Sequence, residues 1–565
     1  MPNPRPLVEC VPNFSEGRDA EAIRAIADAI AAVPGVRLLD VDPGRATNRT
    51  VMTFVGAPDA VVEGAFQGIR RAAEVIDMRR HEGEHPRMGA TDVCPLVPIA
   101  GITMAEVVEL ARALARRVGE ELAIPVYLYE AAASMPARRN LAAVRAGEYE
   151  GLEAKLDDPD WRPDFGPAAL NARAGATAIG ARNLLVAYNI NLNTTSTRRA
   201  NAVAFDLRES GRIQTVDGSA NGAPVRDAEG RPVRAAGLLP GVKGIGWYIE
   251  EYGIAQVSLN LTDLQATPLH TAFDAACAAA EARGMRVTGS ELVGLVPLSA
   301  MVAAGRHYLQ KQARSLGVPE RELVRIAARS LGLHDLAPFD PDKRIIEYRL
   351  CEPGERPLAA LSLTDFAYVA ASESPAPGGG SVAAAVGALG AAMGAMVANL
   401  SAHKRGWDDR WAHFSAWAER GQQSVDRLLE LVDDDTHAFD RVLEAYRLPK
   451  ATDAERALRD AAVEEATKGA IASPLAVIRA ALEALEVAVA MSGEGLPSSI
   501  SDAGVGALCA RTAIRAAALN VRINAPGLAD RPFAEQALAE AEAGIAAAEA
   551  REAEAMRQVL ATIDG

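Results

Sequence analysis

The first residues whose spacing suggests chemistry are His81-Glu82-Gly83-Glu84-His85. Two histidines four apart with an acid between them match the zinc-hydrolase pattern HExxH, whose imidazoles lie one turn apart on one face of a helix. The local residues oppose that geometry. Gly83 is a poor helix former, Pro86 disfavours the α conformation at His85, and Arg80 and Arg87 place positive charge beside any cation. A zinc-dependent hydrolase using His81 and His85, with a helical oligomerisation module, is therefore the alternative reading, and no metal is expected. What remains is a polar loop, residues 79–92. Histidine is the side chain that titrates unperturbed near neutrality, so it suits general acid–base work. An ordinary solvated loop has the same composition, but rigid Pro86 between Gly83 and Gly89 favours a defined shape.

Four further clusters merit the same weighing. Residues 40–49, Asp-Val-Asp-Pro-Gly-Arg-Ala-Thr-Asn-Arg, follow a strand pattern, and ligands in α/β folds bind at such ends; Asp42 is the candidate carboxylate, and a plain turn is the competing reading. Residues 164–175 form a Gly/Ala/Asn run whose backbone could lie against a flat ring, or simply connect two elements. Pro375-Ala376-Pro377-Gly378-Gly379-Gly380-Ser381 leads into an Ala/Gly helix, with Ser381 expected as N-cap and free N–H groups able to hold an anion. It lacks the Gly-Lys-Ser/Thr of a P-loop. Val432-Asp433-Asp434-Asp435-Thr436 sits within a helical run, where a partly buried carboxyl would have its pKa raised and could act as an acid. Asp433 and Asp435 point roughly 200° apart on a helix, so an inward Asp435 implies an outward Asp433. Ser498-Ser499-Ile500-Ser501-Asp502 reads as an N-cap cluster.

These residues must be positioned by a chain of 565 residues with 59 basic and 74 acidic side chains, a net charge of −15. That balance excludes a general binder of nucleic-acid backbones, and 49% hydrophobic residues exclude disorder as the dominant state. Five cysteines, dispersed and without a CxxC pair, fit a reducing compartment rather than a disulfide framework. With no apolar signal core at the N-terminus, a cytoplasmic protein is expected. Residues 382–398 carry no charge, yet Val382, Val386, Leu389, Met393 and Met396 form one helical stripe among Ala and Gly. A central bundle helix is expected there, with no membrane role, and its small residues favour packing against a second copy in a homo-oligomer.

The first 300 residues alternate strand and helix patterns. Strands are expected at 7–14, 36–42, 50–55 and 125–129, and helices at 19–32, 60–75 and 104–122. Residues 184–293 then give βαββαβ, with strands at 184–192, 242–249, 254–261 and 287–293 and helices at 198–208 and 270–283. This is the split β-α-β pattern of ferredoxin-like units, and the opening section shows its first five elements. Residues 211–239 read as a long inserted loop. After residue 361 alanine dominates and helical patterns follow one another to the C-terminus. The expected architecture is multidomain: two tandem α/β (ferredoxin-like) units at 1–182 and 183–335, a linker at 336–360, and an all-α helical bundle at 361–565. A cleft between the two α/β units is the natural substrate site.

The stretches Leu7-Val8-Glu9-Cys10-Val11-Pro12-Asn13-Phe14-Ser15-Glu16-Gly17, Gly83-Glu84-His85-Pro86-Arg87-Met88-Gly89 and Val242-Lys243-Gly244-Ile245-Gly246-Trp247-Tyr248 resemble the formiminotransferase part of the formimidoyltransferase-cyclodeaminase family. Ala376-Pro377-Gly378-Gly379-Gly380-Ser381-Val382 and Arg447-Leu448-Pro449-Lys450 resemble its cyclodeaminase part. The resemblance implies a bifunctional folate enzyme of histidine breakdown. The first half would move a formimino group from N-formimino-L-glutamate to tetrahydrofolate, and the second would close the ring to 5,10-methenyltetrahydrofolate and release ammonia. Tetrahydrofolate, free or polyglutamylated, would be co-substrate, and the partners would be small molecules. By the same resemblance the transferase histidine is His85. The folate loop is Gly166, Pro167, Ala168, Ala169, Leu170, Asn171, Ala172, Arg173, Ala174 and Gly175. The cyclodeaminase acid is Asp435. Asp42, Glu291, Gly379, Gly380 and Ser381 are further candidates for substrate binding. Residues 211–239 look longer than the loop of vertebrate members, and Glu291 stands where those have Gln.

Overall fold

The computed structural model describes residues 6–45, 47–83, 86–217, 222–350, 357–374 and 376–564. It forms two compact units. One is Met1–Ala303 with Ala328–Leu350, and the other is Ala304–Ala327 with Cys351–Gly565.

The first unit opens with β1 (Leu7–Cys10) and β2 (Asn13–Phe14), one run of chain interrupted at Val11-Pro12. Then come α1 (Ala20–Ala31), β3 (Val36–Gly44), β4 (Arg49–Gly56), α2 (Pro58–Val75), β5 (Thr91–Ala100), α3 (Met104–Glu121), β6 (Val126–Glu130) and β7 (Thr177–Ala181). Asp19 caps α1 by accepting from the Glu21 and Ala22 amides, and Thr103 and Glu106 form a capping box on α3. The β1/β2 line pairs antiparallel with β4 on one side and β5 on the other. β3 extends the sheet beyond β4, while β7 and then β6 add parallel strands beyond β5.

β5 completes the first βαββαβ, and it is the strand that local pattern hides. Pro95 and Pro98 lie within it, and proline argues against a strand flanked on both sides. β7, Thr-Ala-Ile-Gly-Ala, lacks the β-branched bulk that marks a strand. Alternation along the sheet sorts the side chains. Val8, Cys10, Phe54 and Leu96 pack with Ile26, Ile30, Phe66, Ile69, Leu114 and Val118 of the three helices. Glu9, Val11 and Asn13 point to the other face.

β8 (Val186–Leu192), α4 (Thr197–Leu207), β9 (Val242–Ile249), β10 (Ile254–Leu261), α5 (Leu269–Glu281) and β11 (Val287–Val293) form a second, wholly antiparallel sheet in the order β9-β10-β8-β11. Gly246 admits α4, because a Cβ there would lie 2.2 Å from the Asn201 amide nitrogen. Asn189, Asn191 and Gln256, out of phase with Tyr188, Ile190 and Val257, give the opposite face a polar character. In the long insertion, a short ladder joins Arg212–Ile213 to Arg234–Ala235.

The second unit holds the bundle helices α6 (Gly379–Ala402), α7 (Trp411–Arg447), α8 (Asp453–Glu494), α9 (Ile500–Asn524) and α10 (Arg531–Asp564). Residues 304–327, which follow the second sheet in the chain, pack with this unit. The Leu316 amide donates to Ser415 Oγ at 2.9 Å, Asn399 Nδ2 donates to the Gly317 carbonyl at 2.8 Å, and Arg306 pairs with Glu419. The amphipathic pattern of residues 320–330 does not name the partner of its apolar face, so sequence alone could not assign it.

α6 packs against α7, α8 and α9 as a central helix, though its faces are the reverse of a usual core helix. Its Gly and Ala residues are buried, while Val382, Leu389 and Leu400 are exposed, Leu389 by 59%. Close approach explains this. A Cβ on Gly390 would meet the Gly506 carbonyl at 2.9 Å, and one on Gly421 would meet Ala395 Cβ at 2.8 Å. Helices this close leave no room for bulk between them. Among the described residues α6 alone is long and apolar enough to cross a membrane, and 61% of its most apolar window is buried in the protein.

Candidate active sites

The histidine loop is held by the hairpin between β3 and β4. Asn48, in the left-handed region with φ 47°, donates from Nδ2 to the Glu82 carbonyl at 2.8 Å and accepts from the Gly17 amide. Gly83 packs so closely that a Cβ would lie 2.5 Å from the Thr47 carbonyl. His81 Nε2–H donates to the Asn48 carbonyl at 2.9 Å, and Arg87 Nε donates to His81 Nδ1 at 3.3 Å. Arginine is a donor only, so Nδ1 accepts and His81 is the neutral Nε2–H tautomer with both nitrogens engaged. Both ring nitrogens of His81 are thus taken up by protein partners. Arg87 is fixed in turn by a bidentate pair to Glu150 at 2.7 and 2.8 Å. Glu84 and His85 lie outside the described residues. Their described neighbours are Gly83 and Pro86.

The 166–175 loop lies beside this one. Gly175, with φ 69°, bridges to Gly89, and a Cβ on it would lie 2.2 Å from the Met88 carbonyl. The Met78 amide donates to the Arg173 carbonyl, and Tyr149 OH to that of Ala172. Gly166 turns with φ 81° against the Ile124 carbonyl. The structure thus joins the two loops, but residues 166–175 wall neither of the two cavities that follow.

Those cavities form a cleft between the faces of the two sheets that turn away from their packed helices. The larger, about 1010 Å³, runs from Pro86 past Tyr129, Asn140, Arg145 and Glu148 to Lys243 and Asn260. The smaller, about 240 Å³, is walled by Glu9, Asn13, Asp42, Arg49, Arg145, Arg182, Asn260 and Val293. Both share Tyr129, Arg145, Arg182 and Asn260. Three guanidiniums therefore face one cleft. Arg145 is paired with Asp92, which also accepts from the Met88 amide at 3.1 Å. Burial, and then the adjacent Arg145 charge, brings Arg49 down to about 10. Burial raises Glu9 to about 7 and also raises Asp40, whose neighbour Asp42 adds like-charge repulsion. Asp42, near the end of β3, is in the wall. Glu291 is not. It accepts from Asn189 Nδ2 at 3.3 Å and Gln256 Nε2 at 3.4 Å, within a network that runs through the buried Gln256 and Asn191 to Asp335.

In the helical unit Asp435 of α7 meets the start of α6. Its Oδ2 accepts from the Ser381 amide at 2.9 Å and from Ser381 Oγ at 3.3 Å. A Cβ on Gly380 would lie 2.1 Å from its Oδ1. Burial raises the Asp435 pKa against the pull of these hydrogen bonds. Two expectations need correction. Ser381 is not the N-cap: Gly378 is, and Ser381 lies buried in the first turn. Asp433 does not face outward either. It is 3% exposed and accepts from the Leu358 and Ala359 amides at 2.8 and 3.2 Å. The segment at 357–359 covers that side of α7, so both sides of the helix are occupied.

Models of known families match the chain in three stretches. Residues 7–182 match the N-terminal subdomain of the formiminotransferase domain, residues 187–351 the formiminotransferase domain, and residues 362–543 the formiminotransferase-cyclodeaminase model. The chain is 44% identical over 531 residues to formimidoyltransferase-cyclodeaminase of Rattus norvegicus, covering 94% of each. The chain belongs to the formimidoyltransferase-cyclodeaminase family. Its first part also resembles a glutamate formimidoyltransferase of Streptococcus pyogenes, 41% identical over 54% of this chain and 93% of that one. Its C-terminal part resembles a methenyltetrahydrofolate cyclohydrolase of Methylorubrum extorquens, 44% identical over 32% of this chain and 86% of that one.

Against the family's sequence motifs, the structure adds residues that reading the chain did not single out. Arg145 and Arg182 carry no local signal, since only the fold brings them to the cleft. Glu9 does carry one: a carboxylate in the middle of the apolar run Leu7-Val8-Glu9-Cys10-Val11. Such a charge is costly unless a site needs it.

Proposed function

We propose that this chain is a bifunctional folate enzyme of histidine degradation. It transfers the formimino group of N-formimino-L-glutamate to N5 of tetrahydrofolate, then closes the ring to 5,10-methenyltetrahydrofolate with loss of ammonia. Family membership over nearly the whole chain supports the activities, and the single observation that carries the first is the cleft lined by Arg49, Arg145 and Arg182. Guanidiniums pair with carboxylates in a fixed fork, and both substrates carry glutamate carboxylates, more in a polyglutamylated folate.

In this reading His85 is the base that takes the N5 proton as it attacks the amidine carbon. The 166–175 loop, tied to the histidine loop at Gly89 and Gly175, holds the pterin. In the helical half N10 attacks the same carbon, and Asp435, its carboxyl raised by burial, protonates the departing nitrogen. The strand order of the second sheet supports a ferredoxin-like unit. The exposed Leu389 of α6 with Leu519 and Ile523 of α9 supports a homo-oligomer that covers this face. We place the enzyme in the cytoplasm and assign it no metal.

The test is a coupled assay with both substrates, following ammonia and the absorbance of methenyl folate. His85→Ala should stop formimino transfer while ring closure of supplied 5-formiminotetrahydrofolate continues, and His81→Ala should do much less. Absence of both products from the wild-type chain would overturn the reading.

A further inference from the structure

Glu9 is the buried titratable group that the proposed mechanism leaves unused. It stands on β1 in the wall of the smaller cavity, 2% exposed, and its Oε2 has no hydrogen-bond partner among the described residues. Leaving a buried carboxyl oxygen unpaired is costly, so its retention at a ligand cavity calls for a donor or acceptor that arrives with the ligand. The charged and titratable groups around it are Arg182, which attracts its charge, Glu347 and Cys10, and across the cavity Asp42, Arg49, Arg145 and Tyr129. Arginines suffice for the carboxylates of an amino-acid substrate. The remaining polar group of such a substrate is its α-nitrogen, and the unpartnered group in the wall is Glu9.

We propose that Glu9 receives the α-nitrogen of the amino-acid substrate and gives it a proton as it leaves. This rests on the transferase reading. The folate N5 bonds to the formimino carbon while its proton passes to the base and the C=N π pair of the amidinium moves onto the imino nitrogen. That nitrogen returns the pair to re-form C=N when the adduct collapses. The tetrahedral adduct then breaks the bond between that carbon and the glutamate nitrogen. The bond's electron pair stays on the glutamate nitrogen, which takes the Glu9 proton. Glu9, now a carboxylate facing an amine, regains a proton from solvent once glutamate departs. Burial suits the group to this cycle, since it raises the carboxyl to about 7, within reach of both protonation states near neutrality.

The test is E9Q in the full-length chain, with Glu9→Asp beside it. E9Q should lower kcat for formimino transfer by about 10²–10⁴-fold, leave KM for tetrahydrofolate little changed, and abolish the fall of kcat on the alkaline side. Glu9→Asp should recover part of the rate and restore that limb, which a merely structural role would not do. An E9Q enzyme with wild-type kcat and pH profile would overturn the assignment while leaving the transferase reading intact. A wild-type chain that moves no formimino group would overturn both. Should E9Q not fold, the wild-type protein decides. Calorimetry of L-glutamate binding in buffers of different ionisation enthalpy should show about half a proton released near pH 7, fading as pH rises. Binding with no proton release would overturn the proposal.

Discussion

The sheet cleft of the first unit and the α6 entrance of the second are built on opposite plans. In the cleft, period-two alternation sends Glu9, Asn13, Asp42 and Arg49 from neighbouring strands to one face, and loops add Arg145 and Arg182. The site is a wall of side chains, many of them charged. At the α6 entrance, glycine removes side chains so that backbone amides and one carboxylate meet directly. In the first plan a wall residue can be exchanged without a backbone clash, so the effect of an exchange is that of the chemical group lost. The second depends on close backbone approach, and one methyl group on Gly380 would collide with Asp435.

The largest expected effect is at Asp435. Replacing it by Asn should cut ammonia release by about 10²–10⁴-fold while formimino transfer continues, measured separately on supplied substrates. The wild-type sign follows from the raised pKa: the carboxyl is an acid only while protonated, so ring closure should fall as pH rises through that value. A profile that rises instead would assign Asp435 the role of base.

Next comes Gly380→Ala, which leaves every chemical group in place. Its Cβ would collide with Asp435 Oδ1, and a displacement of about 1 Å costs about 10²-fold in rate. Unchanged ring closure would break the contrast between the two plans. The smallest catalytic effect is expected at Asp433. Asp433→Asn weakens acceptance from two backbone amides and should cost about 1–3 kcal/mol of stability, read as a lower Tm of the helical unit, with activity per folded molecule preserved. A loss of rate without loss of Tm would move the acid from Asp435 to Asp433.

The two aspartates also mark the limit of reading the chain alone. Helical spacing correctly separates them by direction, and the family pattern selects Asp435. What spacing cannot supply is the segment at 357–359, distant in sequence, that comes down on the Asp433 side. The same limit explains α6. Its apolar stripe is plain in the chain, but whether neighbours meet the bulky side or the small side depends on helices placed by tertiary packing.

The sequence by itself determined the βαββαβ order of the second sheet to the residue at β9, β10 and β11, because alternation and turn residues are local properties. It also determined the change to helix after residue 361 and the motifs of both halves. Only the tertiary structure decided that proline-bearing β5 is a strand between two others, since its pairing is supplied by β1, β2 and β7. Only the structure occupied both nitrogens of His81, and only it gathered Arg49, Arg145 and Arg182 around Glu9. Pattern within a segment fixes which face a side chain takes. What that face meets is set by chain that returns from a hundred residues away, and no local period records it.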